Sequence, residues 1–234
     1  SVATVGRWLR RLGISRRRDI APDGSTNRQV AAITARFAGH MVHLDVKKVG
    51  RIPYGGGWRA HGRGSTQDKK AQRAKTAGAR AGYVYLHSIV DGYSRLAYTE
   101  GLPGETAATT IGFFHRARAF FAAHGITRIV RVITDNGANY RARDFLRTAL
   151  AVASRHQRTR PYTPRHNGKV ERYNRTLAEE LLYSRPWTSE AERAAAIEVW
   201  NIHYNYHRAH TAVGDQPPAS RLPTGVTNVM SQNN

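Results

Sequence analysis

The chain contains no cysteine, which excludes disulfides and any zinc site built from His and Cys together. It is poor in acids, with 16 Asp and Glu against 37 Lys and Arg. It has no apolar run near the roughly 20 residues of a membrane helix. The opening SVATVGRWLRRLG lacks the apolar centre of a secretory signal. No membrane association is expected, and the default location is the cytoplasm, in contact with nucleic acid. Ser1 stands where an initiator Met would, so the chain reads as a fragment or a processed product.

What is present is charge of one sign and enough apolar residues to fold. The formal charge of +21 favours polyanions and steers their approach. Histone-like and ribosomal proteins share that charge. They seldom combine it with 40% apolar residues and several separable strand patterns, so an α/β domain is the better reading.

Residues 2–12 have the spacing of a short amphipathic helix, with Val2, Val5, Trp8, Leu9 and Leu12 on one face and Gly13 as its stop. Residues 1–18 are read as the last helix of a helix-turn-helix module, and 19–38 as a linker. A core over 39–185 starts with the alternating strand MVHLDVK. A long irregular, Gly-rich and basic insertion follows over 49–81 and is expected to be mobile without DNA. YVYLHSIV, the turn DGYSR and LAYTEG read as a hairpin. Then come a helix over 106–124, the strand RIVRVIT, a helix over 140–152, a short strand SRHQRT, the loop PYTPRHNG and a helix over 168–183. Residues 186–234 supply a C-terminal helix, 188–208, and a tail expected to be irregular after Pro217. A hairpin meander followed by alternating strands and helices describes a mixed sheet flanked by helices.

Three acids stand out in this basic chain. Asp45 lies inside a strand, where an acid is disfavoured and costly when buried without a partner. Asp135 ends an apolar strand, and Glu171 lies one turn into a helix, with 35 residues between the two. Each alone has an ordinary explanation: an ion pair for Asp45, a D-N-G turn for Asp135, the helix dipole for Glu171. Together they form a set of carboxylates, the ligands that hard ions such as Mg²⁺ prefer. Asp91 opens the hairpin turn and reads as structural. Asp144 is the one nearby candidate for a fourth acid. His203, His207 and His210 have helical spacing but no supporting metal motif, and read as packing or DNA-contacting groups.

The segments HLDV, VDGYSRL, TDNGANY and RPYTPRHNGKVERYNRTL resemble the integrase-core transposases of bacterial insertion sequences, relatives of retroviral integrases. GRIPYGGGWRAHGRG and HYNYHRAHTAVGDQPPASRL resemble the insertion sequence 481 group in particular, with Ala209 where that group usually carries Pro. The resemblance runs from about residue 38 to 224. It implies an RNase H-like fold, a mixed five-stranded sheet flanked by helices. It implies Asp45, Asp135 and Glu171 as catalytic residues that bind two Mg²⁺ or Mn²⁺ ions. It also implies DNA as partner, both terminal repeats and target, with a homodimer or larger assembly forming on it. The activity implied is DNA cleavage and strand transfer in a bacterial, nucleoid-associated protein. The expected DNA contacts are Lys169, Arg172, Arg175 and Arg165 around Glu171, with Trp58 and Arg59 in the insertion. A non-catalytic DNA-binding remnant and an RNase H-like nuclease are the competing readings.

Overall fold

The computed structural model describes residues 1–12, 34–53, 55–78, 82–159 and 167–222. Arg165 with most of the PYTPRHNG loop, most of the 19–38 linker, and the end of the tail lie outside the described residues. The chain divides into two compact units, Ser1–Ile33 and Thr34–Asn234.

The first unit carries helix α1, Val2–Arg11. The Ser1 hydroxyl accepts from the Thr4 amide at 3.4 Å, satisfying one of the orphan amides of the first turn. Its apolar stripe buries nothing: Val5, Trp8 and Leu12 are all exposed.

The second unit is built on five strands: β1 Met41–Gly50, β2 Tyr83–Asp91, β3 Ala97–Leu102, β4 Ile129–Thr134 and β5 Ala153–Arg158. Their order across the sheet is β3-β2-β1-β4-β5. β1, β2 and β3 pair antiparallel; β4 runs parallel to β1, and β5 parallel to β4. This is the mixed sheet that the order of sequence patterns predicts, with the five strands that the family resemblance implies. The short turn between β2 and β3 can join only antiparallel neighbours, and β1 joins β2 antiparallel through the longer 51–82 segment. Each later strand needs a helical crossover.

Those crossovers are α4, Ala107–Ala123, and then α5, Ala138–Arg141, with α6, Arg143–Val152. Thr106 caps α4 with its hydroxyl on the Thr109 amide, 3.2 Å. The single helix expected over 140–152 is broken at Ala142, whose backbone is extended (ψ 138°), so α5 and α6 are separate. After β5 comes α7, Gly168–Leu177, which continues as a π-helical turn over Ala178–Leu182; α8 is Glu190–Tyr206. Two apolar cores lie on the two faces of the sheet. Val42, Leu44 and Val132 pack with Phe113, Phe114, Phe121 and Phe145 of α4 and α6. Val49, Val84 and Leu86 pack with Val170, Tyr173 and Leu177 of α7 and Trp200 and Tyr204 of α8. Central β1 is thus covered on both sides.

Two sequence expectations are corrected. The 49–81 segment is not irregular throughout. β1 extends to Gly50, and helices α2, Gly57–His61, and α3, Thr66–Thr76, follow. Ser65 starts α3 by accepting from the Asp68 amide, a cap hidden in a stretch that composition alone marks as loop. The tail remains ordered to Leu222: Pro218–Arg221 form a 3-10 turn, and Val213, Ala219 and Leu222 are buried.

Edge strand β3 is closed by α8. Asn205 accepts from the Ala97 amide (2.9 Å) and donates to the Ala97 carbonyl (2.8 Å), while Asn201 donates to the Thr99 carbonyl (3.0 Å). One turn apart, these amides take up edge groups that would otherwise template pairing with another strand. Asp91 is structural, as expected. Its buried carboxylate accepts from the amides of Gly39 (2.8 Å), Tyr93 (3.1 Å) and Ser94 (2.7 Å) and from the Ser94 hydroxyl (2.7 Å). Replacing Asp91 by Ala is expected to destabilise the fold by about 3 kcal/mol, since it strands the buried Gly39 and Ser94 amides and the part-buried Tyr93 amide. The urea midpoint measures this, and an unchanged midpoint would show the turn to be self-supporting.

Candidate active site

The two sequence-distant aspartates are brought together by strand register. Asp45 projects from the face of β1 opposite Leu44, toward α7. β1 and β4 pair as Met41 with Arg131, Val42 with Val132 and His43 with Ile133. Continued two residues further, that register runs from Asp45 toward Asp135, just past the end of β4, and the Asp135 charge acts on the Asp45 carboxyl. Hydrogen bonding stops short of them, so both lie where the strands part, the region in which open α/β sheets place ligands. Asp135 also makes the turn its sequence suggests: Oδ1 accepts from the Gly137 amide at 2.8 Å. Asn136 anchors that turn by donating to the Thr159 carbonyl at 2.8 Å.

Glu171 reaches the same region because two asparagines fasten α7 to β1 at Leu44 and at Asp45 itself. Buried Asn167, at the start of the helix, donates to the Leu44 carbonyl at 3.1 Å. Buried Asn174 donates to Asp45 Oδ2 at 2.8 Å. The remaining acceptor of each amide, Oδ1, is buried with no hydrogen-bond partner. Glu171 itself is exposed.

The electrostatics are those of acids gathered without a counterion. Burial pushes the Asp45 carboxyl from the ordinary 3.8 up to about 6; the Asn174 bond opposes this, and the charges of Asp135 and Glu171 push it further up. The buried Tyr140 hydroxyl is raised by burial, then by Asp45 and Asp135. Among the described residues, no Lys or Arg forms an ion pair with Asp45, Asp135 or Glu171. Asp45 and Glu171 line an open cleft of about 610 Å³ with Lys47, Lys48, Arg175 and Tyr183; Asp135 lies outside that lining. Among the described residues, no three His, Cys, Asp or Glu side chains form a ready-made metal cage. In donor chemistry the acids fit a hard divalent cation. The orphan Asn174 Oδ1 beside them fits the water hydrogens such an ion carries.

Comparison with known proteins agrees with this architecture. The integrase core domain family matches residues 38–164, more than half of the chain, and a second integrase core domain family matches 153–218. The chain belongs to the integrase core family. The integrase core is 30% identical over 145 residues to an uncharacterized 39.2 kDa protein of insertion element IS476 from Xanthomonas euvesicatoria, covering 60% of this chain and 40% of that protein. It is also 30% identical over 104 residues to an uncharacterized 48.2 kDa protein of insertion element IS2A from Escherichia coli, covering 44% and 24%. The chain therefore spans less than half the length of these insertion-element relatives. A chain of the simian T-cell lymphotropic virus intasome, solved in complex with the PP2A regulatory subunit B56 gamma, superposes with a TM-score of 0.60 at 19% identity, over 87% of this chain and 61% of that one. At that identity it supports the fold alone.

The other residues singled out in the sequence of this integrase core divide clearly. Arg172 and Arg175 are exposed on α7, as a phosphate contact requires. Lys169 is half-buried, and its ammonium is lowered by burial and by Arg95, with Asp91 opposing. Tyr173, which the helix pattern groups with these cations, instead points into the second core, where its hydroxyl meets Thr99 (2.6 Å) and donates to Asn201 (3.0 Å). Trp58 is half-exposed, with the Arg59 and Arg63 guanidiniums 5.5 and 4.9 Å from its ring. Asp144 stands exposed and paired with Arg147 at 2.7 Å, and it is not among the charges acting on Asp45. His203 stacks on His207, while His210 caps the turn at Thr211–Val213 by accepting from the Ala212 amide. The residues that sequence reasoning missed are Asn167 and Asn174. Their signal was present: Asn174 is a polar residue in the apolar stripe of α7, between Val170 and Leu177, where only a buried partner would justify it.

Proposed function

We propose that this chain is the catalytic core of a DDE-type DNA transposase, cutting and joining phosphodiester bonds at the ends of an insertion sequence. One observation carries the reading. In a chain of net charge +21, Asp45 is held by register and by an asparagine within reach of two further carboxylate charges, and none of the three has an ion pair among the described residues. A strand interior, a strand end and a helix start supply these acids in a chain whose positive charge would otherwise exclude them, which supports this reading.

In this reading Asp45, Asp135 and Glu171 hold two Mg²⁺ or Mn²⁺ ions. When bound, these supply charge stabilisation to the attacking and leaving oxygens. The side chains do the rest. Asn174 orients Asp45. Lys47, Lys48 and Arg175, around the same cleft, hold the DNA backbone next to the acids, with Lys169, Arg172 and Arg165 as further contacts along α7 and its preceding loop. Trp58 and Arg59 contact DNA from the insertion. No Ser or Tyr nucleophile is required. The partners are the element's terminal repeats and target DNA. Joining two ends calls for at least a dimer on DNA, and a bacterial cytoplasm with its nucleoid is the setting. Among the described residues, no helix is long and apolar enough to cross a membrane.

The test is joining rather than cutting alone. Given a pre-cut duplex end and Mg²⁺ or Mn²⁺, the protein is expected to transfer the 3′ end into a second duplex. Hydrolysis without joining would leave a nuclease. Absence of Mn²⁺ binding by calorimetry, with DNA present, would leave a DNA-binding remnant.

A further inference from the structure

The insertion between β1 and β2 is a helical hairpin, and beyond Trp58 and Arg59 it carries on α3 a surface the catalytic reading does not use. It is closed at its base, where the Arg51 amide donates to the Gly82 carbonyl at 3.1 Å. Its root is gripped by an ion pair between buried Arg193 and half-buried Glu190 at the start of α8. Arg193 meets Glu190 through both carboxylate oxygens at 2.8 Å and donates to the Gly50 carbonyl at 3.1 Å, while Glu190 accepts from the Ile52 amide at 3.1 Å. The pair thus holds the chain on both sides of the point where it leaves β1. Further out, the hairpin docks at Gly56 (φ 83°). A methyl group there would meet the Trp187 carbonyl at 2.9 Å and Ala60 at 2.7 Å, so backbone packs directly on backbone.

The hairpin's single acid is spent internally. Buried Asp68 accepts from the Gly64 amide (2.8 Å) and from Gln72 (3.1 Å), which fixes the turn into α3. The outside therefore carries cations only: Arg59, Arg63, Lys69, Lys70, Arg73 and Lys75, all exposed, with no ion pair among the described residues. On α3, Lys69, Lys70 and Arg73 share about one third of the helix circumference, flanked by Thr66 and Thr76. A helix polar on nearly every side gains little from packing, and its three like charges repel. A polyanion would remove that cost.

We propose that α3 is a clamp for the phosphate backbone of duplex DNA, carried on a hairpin whose root lies at a set distance from Asp45. The proposal rests on the transposase reading and adds a second contact to it. The distance follows from β1, which runs unbroken from Asp45 through Lys47 and Lys48 to Gly50 at the hairpin root. Five residues of strand are roughly 17 Å, about five base-pair steps of duplex. The residues after the π turn border both places, because Tyr183 lines the acidic cleft and Trp187 packs on Gly56. Three cations on one helical face, rather than stacked aromatics, suit a duplex backbone; Trp58 already carries two guanidiniums over its ring.

The test uses the whole chain, a mixed-sequence DNA duplex of about 30 base pairs, and binding measured against salt. Replacing Lys69, Lys70 and Arg73 together by Gln is expected to reduce the salt slope of log affinity by about two to three units. A control triple at Arg118, Arg128 and Arg155, exposed cations away from the hairpin, removes the same charge and is expected to change the slope by less than about one unit. The three single Gln variants, each expected to remove about one unit, replace the triple if its circular dichroism differs from that of the parent. Equal slopes for the two triples, or competition by polyglutamate as effective as by DNA, would overturn the clamp. Metal-dependent nicking of the same duplex is read in parallel. If it persists while the slopes are equal, the clamp alone is wrong; if the unaltered chain neither nicks nor binds the duplex, both readings are.

Discussion

Glu171→Gln is expected to lower DNA cleavage and strand transfer by about a thousandfold, some 4 kcal/mol of barrier, while DNA affinity holds or rises. The substitution keeps shape and removes a metal-binding oxygen and a negative charge. Removing that charge beside phosphate cannot weaken attraction to DNA. The fold tolerates it, because Glu171 is exposed and no hydrogen bond of its carboxylate supports α7 among the described residues. Only its favourable place in the first turn is lost, about 0.5 kcal/mol. Single-turnover cleavage in Mn²⁺, set beside affinity for the same duplex, separates the two effects. Ordinary turnover in the variant would take Glu171 out of the chemistry and the transposase reading with it.

Asp45→Asn is expected to make the metal-free protein more stable at neutral pH, by about 2–3 kcal/mol. The Asp45 carboxyl is raised from 3.8 to about 6, so its charged form is disfavoured in the fold relative to the unfolded chain. Between those values the folded state binds the extra proton, and stability falls as pH rises from about 4 to about 6, then levels off. The variant has no such penalty and can still accept the Asn174 hydrogen bond through Oδ1. Melting temperatures of the two proteins should coincide below about pH 4 and separate through that window. Adding Mg²⁺ should stabilise the parent and leave the variant nearly unmoved, closing the gap. A variant less stable than the parent at pH 7 without metal would mean that Asp45 is structurally paired and not a waiting ligand.

The strands and the long helices were legible because their periodicities were clean. MVHLDVK and YVYLHSIV alternate, α4 repeats its apolar residues at helical spacing, and Gly125 stops it. The hairpin α2–α3 was not legible. Its helices present almost no apolar face, and their support comes from Arg193 and Trp187, more than a hundred residues away. The break at Ala142 and the ordered tail were hidden for the same reason: contacts elsewhere in the fold outweigh local preference.

The acids themselves are a property of the sequence. Few negative charges in a basic chain, one inside a strand and two at the ends of elements with 35 residues between them, can be read without coordinates. What only the tertiary structure decided is their company. The register of β1 on β4 runs from Asp45 toward Asp135, two buried amides fasten α7 to β1 at Leu44 and Asp45, and the charges of Asp135 and Glu171 act on Asp45. That step is long-range because a strand's partner and a helix's seat are chosen by burial over the whole sheet. Spacing along the chain says which residues can meet, and packing says where.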